Sequence, residues 1–204
     1  MSDLCLIRPA NNAAAVELAN WGSSLARDIA SSSHSLRKDI YSVAATRAAV
    51  EKELGPSRAT LFFGHGRKSR LEGYSSDVID SSNVGKAAGN ILIAIACWSA
   101  AKLGPDAFSA GVEAYLGFDE QFVWLSGDPE HQFEPATLSG IREMLNSGAD
   151  IAVCATTTQT EFDSVFAFYK TGAGSARPNA IVGWLAAAWD RDHLVVLGKG
   201  SAGF

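Results

Sequence analysis

Cysteine is scarce in this chain. There are three in 204 residues: Cys5, Cys97 and Cys154. An odd, widely spaced set does not make a disulfide framework and fits a reducing compartment. No CxxC pair supports a zinc site, and neither His34 nor His131 has ligand spacing to a cysteine. Basic residues are in deficit as well, with 17 Lys and Arg against 22 Asp and Glu and a formal net charge of -5. That balance argues against nucleic acid or an anionic membrane surface as partner. No apolar run approaches the ~18 residues of a membrane span. The run Ile91 to Ala96 is only strand length. The start, Met1-Ser2-Asp3-Leu4, lacks the basic and then apolar pattern of a signal peptide, so a cytoplasmic protein is expected. Nucleotide motifs are missing too. Gly104-Pro105-Asp106 and Gly198-Lys199-Gly200-Ser201 do not have P-loop spacing, and Gly172-Ala173-Gly174-Ser175 is at most a weak anion loop. No cofactor and no metal are expected.

What remains is an ordinary globular balance, with 47% hydrophobic and 19% charged residues. That is enough chain to bury a sizeable core, and it reads as one domain over 1–204. Apolar, β-branched runs mark strands at Leu4-Cys5-Leu6-Ile7, Ala59 to Phe63, Ile91 to Ala96, Ala114 to Phe118 and His193 to Leu197. Between them run helical patterns. Asn11 or Asn12 is the expected cap of the first, which carries Val16, Leu18, Ala19, Leu25 and Ile29. A second helix is predicted from about Ser35 to Leu54, stopped by Gly55-Pro56. The polar stretch Arg67 to Asn90 suggests a small hairpin around Arg70 to Tyr74 and Val78-Ile79. A helix from Pro135 to Asn146 ends at Gly148, and Pro178 to Trp189 is apolar almost all round, as in a buried helix. Ile151 to Cys154 fits a short strand or a helical continuation. Strands alternating with helices predict an α/β fold of three layers, with a mostly parallel sheet flanked by helices.

Two short segments carry the candidate chemistry. Gly64-His65-Gly66 directly follows one apolar strand, and Ala96-Cys97-Trp98-Ser99 directly follows another. Carboxyl ends of strands in an open α/β sheet face the ligand crevice. An imidazole and a thiol are therefore expected at the same sheet edge, as a cysteine nucleophile and its base require. Thirty-two residues separate them, enough for a crossover between neighbouring parallel strands. A glycine after the histidine lets the backbone approach a substrate carbonyl, and its amide is a candidate oxyanion donor beside that of Cys97. Cysteines at strand ends are, however, usually inert core, and a lone Gly-His-Gly has little specificity.

The stretch Thr60 to Phe118 resembles the caspase-hemoglobinase fold of cysteine peptidases (clan CD). That group includes caspases, legumains, gingipains, separases and bacterial CHAT domains. Its pattern is an apolar block, His-Gly, a second apolar block and the catalytic Cys, here Leu61-Phe62-Phe63-Gly64-His65-Gly66 and Ile91 to Cys97. Ala96-Cys97-Trp98-Ser99, with Gly111-Val112-Glu113-Ala114 and Gly117 beyond, is most similar to the gingipain and CHAT branches. The resemblance implies a cysteine endopeptidase with His65 as general base and acid, Cys97 as nucleophile and Gly66 as oxyanion donor. It further implies a protein or peptide substrate and a regulatory protein partner. It also implies a second strand between the first and the histidine strand, where periodicity reads only helix. The caspase Gln-Ala-Cys-x-Gly is absent, so aspartate-specific cleavage is not implied.

An acid at the base of the first specificity pocket would favour cleavage after Arg or Lys. Asp77, Asp80, Asp119 and Glu120 are the candidates, and Asp119 leads because it follows the strand after the cysteine. Cys5 and Cys154 read as structural. Trp98 fits a pocket wall or core packing equally well. The alternative to a peptidase is a non-catalytic interaction module of the same fold.

Overall fold

The computed structural model describes residues 2–126 and 131–204. In chain order the elements begin with β1 (Asp3–Arg8), α1 (Ala13–Ser31), β2 (Ser35–Tyr41), α2 (Arg47–Leu54) and β3 (Ala59–Phe63). Three short strands follow: β4 (Gly66–Arg67), β5 (Arg70–Glu72) and β6 (Asp77–Asp80). Then come β7 (Ile91–Ile95), α3 (Leu103–Ser109), β8 (Ala114–Phe118), α4 (Phe133–Ser147), α5 (Ile151–Lys170), α6 (Ala180–His193) and β9 (Leu194–Gly198). The central sheet has the order β2-β1-β3-β7-β8-β9, and β4-β5-β6 form a separate antiparallel sheet. Every neighbour in the large sheet is parallel except β9, which runs antiparallel to β8.

Alternation along the buried strands makes the three layers. Leu4 and Leu6, Leu61 and Phe63, and Ile91, Ile93 and Ile95 point to one face, where α1, α4, α5 and α6 pack. Cys5 and Ile7, Phe62, and Leu92 and Ala94 point to the other, against α2, α3 and the small sheet. Both faces are covered, which is why β3, β7 and β8 are buried at every position and almost wholly apolar, Thr60 being the polar exception. The predicted α/β class with a mostly parallel sheet is the observed one.

The caps follow local chemistry. The Asn12 side chain accepts the Ala15 N–H at 3.0 Å and starts α1. Gly148 ends α4 in the left-handed region, with φ 70°, and donates to the Met144 carbonyl. Ile151 to Cys154 is the first turn of α5, a helix opened by Asp150 accepting the Val153 N–H at 3.0 Å.

Two expectations change. The single helix from Ser35 to Leu54 is instead an edge strand, a short 3-10 turn and a two-turn helix. An edge strand pairs on one side only and keeps charged residues toward water, so its apolar content is low. Here only Ile40 is fully buried. β2 is also fixed by charge: Arg8, nearly buried at the end of β1, takes both carboxylate oxygens of Asp39 at 3.0 and 2.5 Å. The second change concerns α6, which is not buried all round. Ile181, Val182, Leu185 and Trp189 are exposed, leaving an apolar stripe on the outer surface.

Candidate active site

Pairing of β3 with β7 runs from Ala59 with Ile91 to Phe63 with Ile95, a constant offset of thirty-two residues. The Gly64 N–H then donates to the Ile95 carbonyl at 3.3 Å, so the two chains stay in step past the strand ends. Counted on from Phe63 and Ile95, His65 and Cys97 each lie two residues past their strand's last paired residue, at the same offset. Gly66 lies directly against this turn, since a Cβ on it would fall 2.4 Å from the Cys97 carbonyl oxygen and 2.9 Å from Ala96 Cβ. His65, Gly66 and Cys97 thus share one edge of the sheet.

The histidine is half-buried, and its Nε2 is buried with no hydrogen-bond partner. Its carbonyl accepts the Glu72 N–H at 2.9 Å, which ties the loop to β5. That bond identifies Gly66 and Leu71 as a non-hydrogen-bonded pair of the antiparallel ladder. The Gly66 N–H therefore takes no part in the pairing with β5.

The Cys97 thiol is also half-buried. It donates to the Phe122 carbonyl at 3.6 Å. Burial pushes its pKa up, the Phe122 backbone draws it back, and Asp190 adds to the rise only to the extent that it ionises, its own carboxyl being held well above the ordinary range by burial. The resting form is the thiol. Trp98, the next residue, has φ 51°, a left-handed conformation that is unusual for a bulky side chain. Two bonds hold it there: its N–H donates to the Glu120 carbonyl at 2.8 Å, and its indole N–H to Glu120 Oε2 at 3.0 Å. Such strain persists only where surrounding contacts over-determine it.

Ser99 closes the turn. Its hydroxyl donates to the Ala94 carbonyl and accepts the Phe118 N–H, both at 3.1 Å. Its own carbonyl accepts the Tyr115 hydroxyl at 2.7 Å. A Cβ at Gly117 would lie 2.5 Å from Ser99 Oγ, so the glycine in β8 makes room for the serine clamp.

The four acids considered from the sequence all have partners. Asp119 Oδ1 lies 2.8 Å from His193 Nδ1 at the end of β8, with 45% of its side chain exposed. Glu120 holds Trp98. Asp77 and Asp80 lie on β6, paired with Arg70 and Arg47. The Arg47 guanidinium holds the Asp80 carboxyl well below the usual carboxylate range.

Cys5 and Cys154 are fully buried in opposite halves of the core, and burial pushes both thiols up to about 12. His34 packs edge-on against Phe204. Asp128-Pro129-Glu130, which precede His131 in the sequence, lie outside the described residues. Among the described residues no three His, Cys, Asp or Glu side chains gather as metal ligands would, and no helix is long and apolar enough to cross a membrane.

Sequence reasoning missed Asp190, Phe122 and Val123. Asp190 on α6 is fully buried, accepts the Val123 N–H at 2.9 Å through Oδ1, and has no partner for Oδ2. The available signal was an acid directly after the apolar run Ala186-Ala187-Ala188-Trp189. Beside it an apolar groove of about 290 Å³ is lined by Val123, Val182, Leu185, Ala186 and Trp189. Against protein-family models and curated proteins, the chain finds no match.

Proposed function

We propose that this chain is a cysteine endopeptidase of the caspase-hemoglobinase type, similar to the gingipain and CHAT branches, working through His65 and Cys97. The observation that supports it is the β3–β7 register, whose offset equals the separation of the two residues. The cycle follows from their chemistry. His65 takes the Cys97 proton, and the thiolate attacks the scissile carbonyl carbon. The Gly66 amide, outside its ladder, and the Cys97 amide donate to the oxyanion. The tetrahedral adduct collapses as the C–N bond breaks, and the proton on His65 leaves with the amine. Water, deprotonated by His65, then hydrolyses the thioester and regenerates the thiol. A protein or peptide substrate is implied, with a regulatory protein partner. Preference for Arg or Lys follows if Asp119 exchanges His193 for the substrate's cation.

Incubation with a mixed peptide library tests this reading. Cleavage abolished by both Cys97→Ala and His65→Ala is expected. Absence of cleavage, or cleavage surviving either substitution, contradicts it. One observation favours the second reading, a binding module of the same fold: the thiol is bonded to Phe122, and no His65–Cys97 hydrogen bond is formed in this structure.

A further inference from the structure

The peptide group joining Phe122 to Val123 is held at both of its polar ends. Its carbonyl receives the Cys97 thiol at 3.6 Å, and its N–H donates to Asp190 Oδ1 at 2.9 Å. One rigid plane therefore links the candidate nucleophile to a buried acid on α6. The flanking residues are fixed as well. Trp98 N–H holds the Glu120 carbonyl at 2.8 Å, the Trp189 indole N–H holds the Gln121 carbonyl at 2.8 Å, and Phe122 stacks among Phe118, Trp21 and Trp124. Residues 120–123 thus lie as a strap on the turn that carries Cys97.

We infer that Asp190 is a positioning residue for Cys97. It anchors the strap so that the Phe122 carbonyl occupies the thiol, and the site rests latched until the strap is displaced. The inference rests on the proposed role of Cys97. A thiol that is donating to a carbonyl is not attacking one, and a carbonyl seated on sulfur fills space that a scissile carbonyl needs. Asp190 is placed for this and for no evident structural gain. It is a fully buried carboxyl with one oxygen left unpartnered, an arrangement that ordinarily costs stability. Groups that destabilise the fold while controlling a reactive atom are typical of functional sites.

The neighbouring charges are otherwise engaged. On α6, Arg191 turns to Asp163 and Asp192, and His193 to Asp119. At the end of β8, Glu120 is bound to Trp98. Among the described residues, His65 stands at the same sheet edge, half-buried. Burial pushes the Asp190 carboxyl well above the ordinary carboxylate range, toward its neutral form, so Asp190 acts on Cys97 through its hold on the Phe122–Val123 peptide.

The test is the iodoacetamide labelling rate of Cys97 against pH, read by mass spectrometry in the full chain, for wild type, Asp190→Asn and Asp190→Ala. Cys5 and Cys154, both fully buried, report global opening in the same sample. Asp190→Ala frees the strap, and its Cys97 labels about tenfold faster, the equivalent of one pKa unit of released thiolate, while Cys5 and Cys154 stay silent. Asp190→Asn keeps an acceptor for Val123 and with it the strap, so its Cys97 profile stays near that of wild type. If Asp190→Ala does not fold, Asp190→Val, which fills the space without an acceptor, decides. A Cys97 profile in Asp190→Ala or Asp190→Val that superimposes on wild type overturns the inference, as does a Cys97 gain that Cys5 and Cys154 share in proportion. Peptide cleavage is assayed on the same proteins. Labelling that depends on Asp190 with no cleavage anywhere leaves the latch standing and removes the peptidase. Cys97-dependent cleavage with labelling blind to Asp190 does the reverse.

Discussion

Gly66 and Cys97 meet backbone to backbone: any Cβ at position 66 would stand 2.4 Å from the Cys97 carbonyl oxygen. The obstacle is main chain fixed by the sheet, so no flexible side chain can yield. Gly66→Ala must push the histidine loop away from the cysteine turn. It is expected to cost ~1–3 kcal/mol, as overpacking in a tight core does, and to remove any peptidase activity. Chemical denaturation with and without the substitution measures the first, and the peptide library the second. An alanine variant with wild-type stability would mean that the two segments are not in contact.

Ser99 clamps the cysteine turn through three hydrogen bonds: its hydroxyl donates to the Ala94 carbonyl of β7 and accepts the Phe118 N–H of β8, and its carbonyl accepts the Tyr115 hydroxyl of β8. Ser99→Ala leaves the buried Phe118 N–H without its acceptor and is predicted to lower stability by ~1–3 kcal/mol. Tyr115→Phe removes the third bond and costs ~1 kcal/mol or slightly more. Urea titration reads both. The two losses are expected to be non-additive in the double variant, because the groups share one turn. Purely additive losses would contradict a single clamp.

The buried thiols set an alkaline limit. Cys5 and Cys154 are raised from 9.0 to about 12 by burial. From about pH 9 upward the unfolded chain releases these protons while the folded chain keeps them. Stability therefore falls as pH rises through that window, by up to ~1.4 kcal/mol per pH unit for each thiol. The Cys5→Ala, Cys154→Ala variant should show a flatter stability profile above pH 9 than wild type. Equal slopes would mean that these thiols are not buried in solution.

Much of this architecture was legible because buried parallel strands advertise themselves. β3, β7 and β8 are buried at every position and apolar at all but Thr60 and the small Gly117, and the segments after β3 and β7 carry the histidine and the cysteine. β2 was not legible, because an edge strand with Arg37, Lys38 and Asp39 facing outward has neither an apolar run nor clean alternation. Its isolated Ile40 fell by chance on helical spacing with Val43, Ala44, Ala48 and Val50. α6 differs in the opposite direction: its apolar sequence reads as buried all round, yet Ile181, Val182, Leu185 and Trp189 are exposed. The strap was invisible for a different reason. Phe122 and Val123 act through their main chain, which any residue supplies, and Asp190 reaches them only through the packing of α6. Asp119 was chosen for its place after β8, but whether it meets His193 or a ligand depends on a side chain seventy-four positions away.

The most direct test of the central claim is the pH dependence of Cys97 alkylation in wild type and His65→Ala from pH 5 to pH 9. Whether the thiol reacts from the latched strap or a displaced one, its proton must leave to His65 if the two form a dyad. Labelling that is faster at Cys97 than at Cys5 or Cys154, with a pH-dependent component that His65→Ala eliminates, is the predicted result. Superimposable profiles in the two proteins would show that the imidazole does not act on the thiol and would contradict the account.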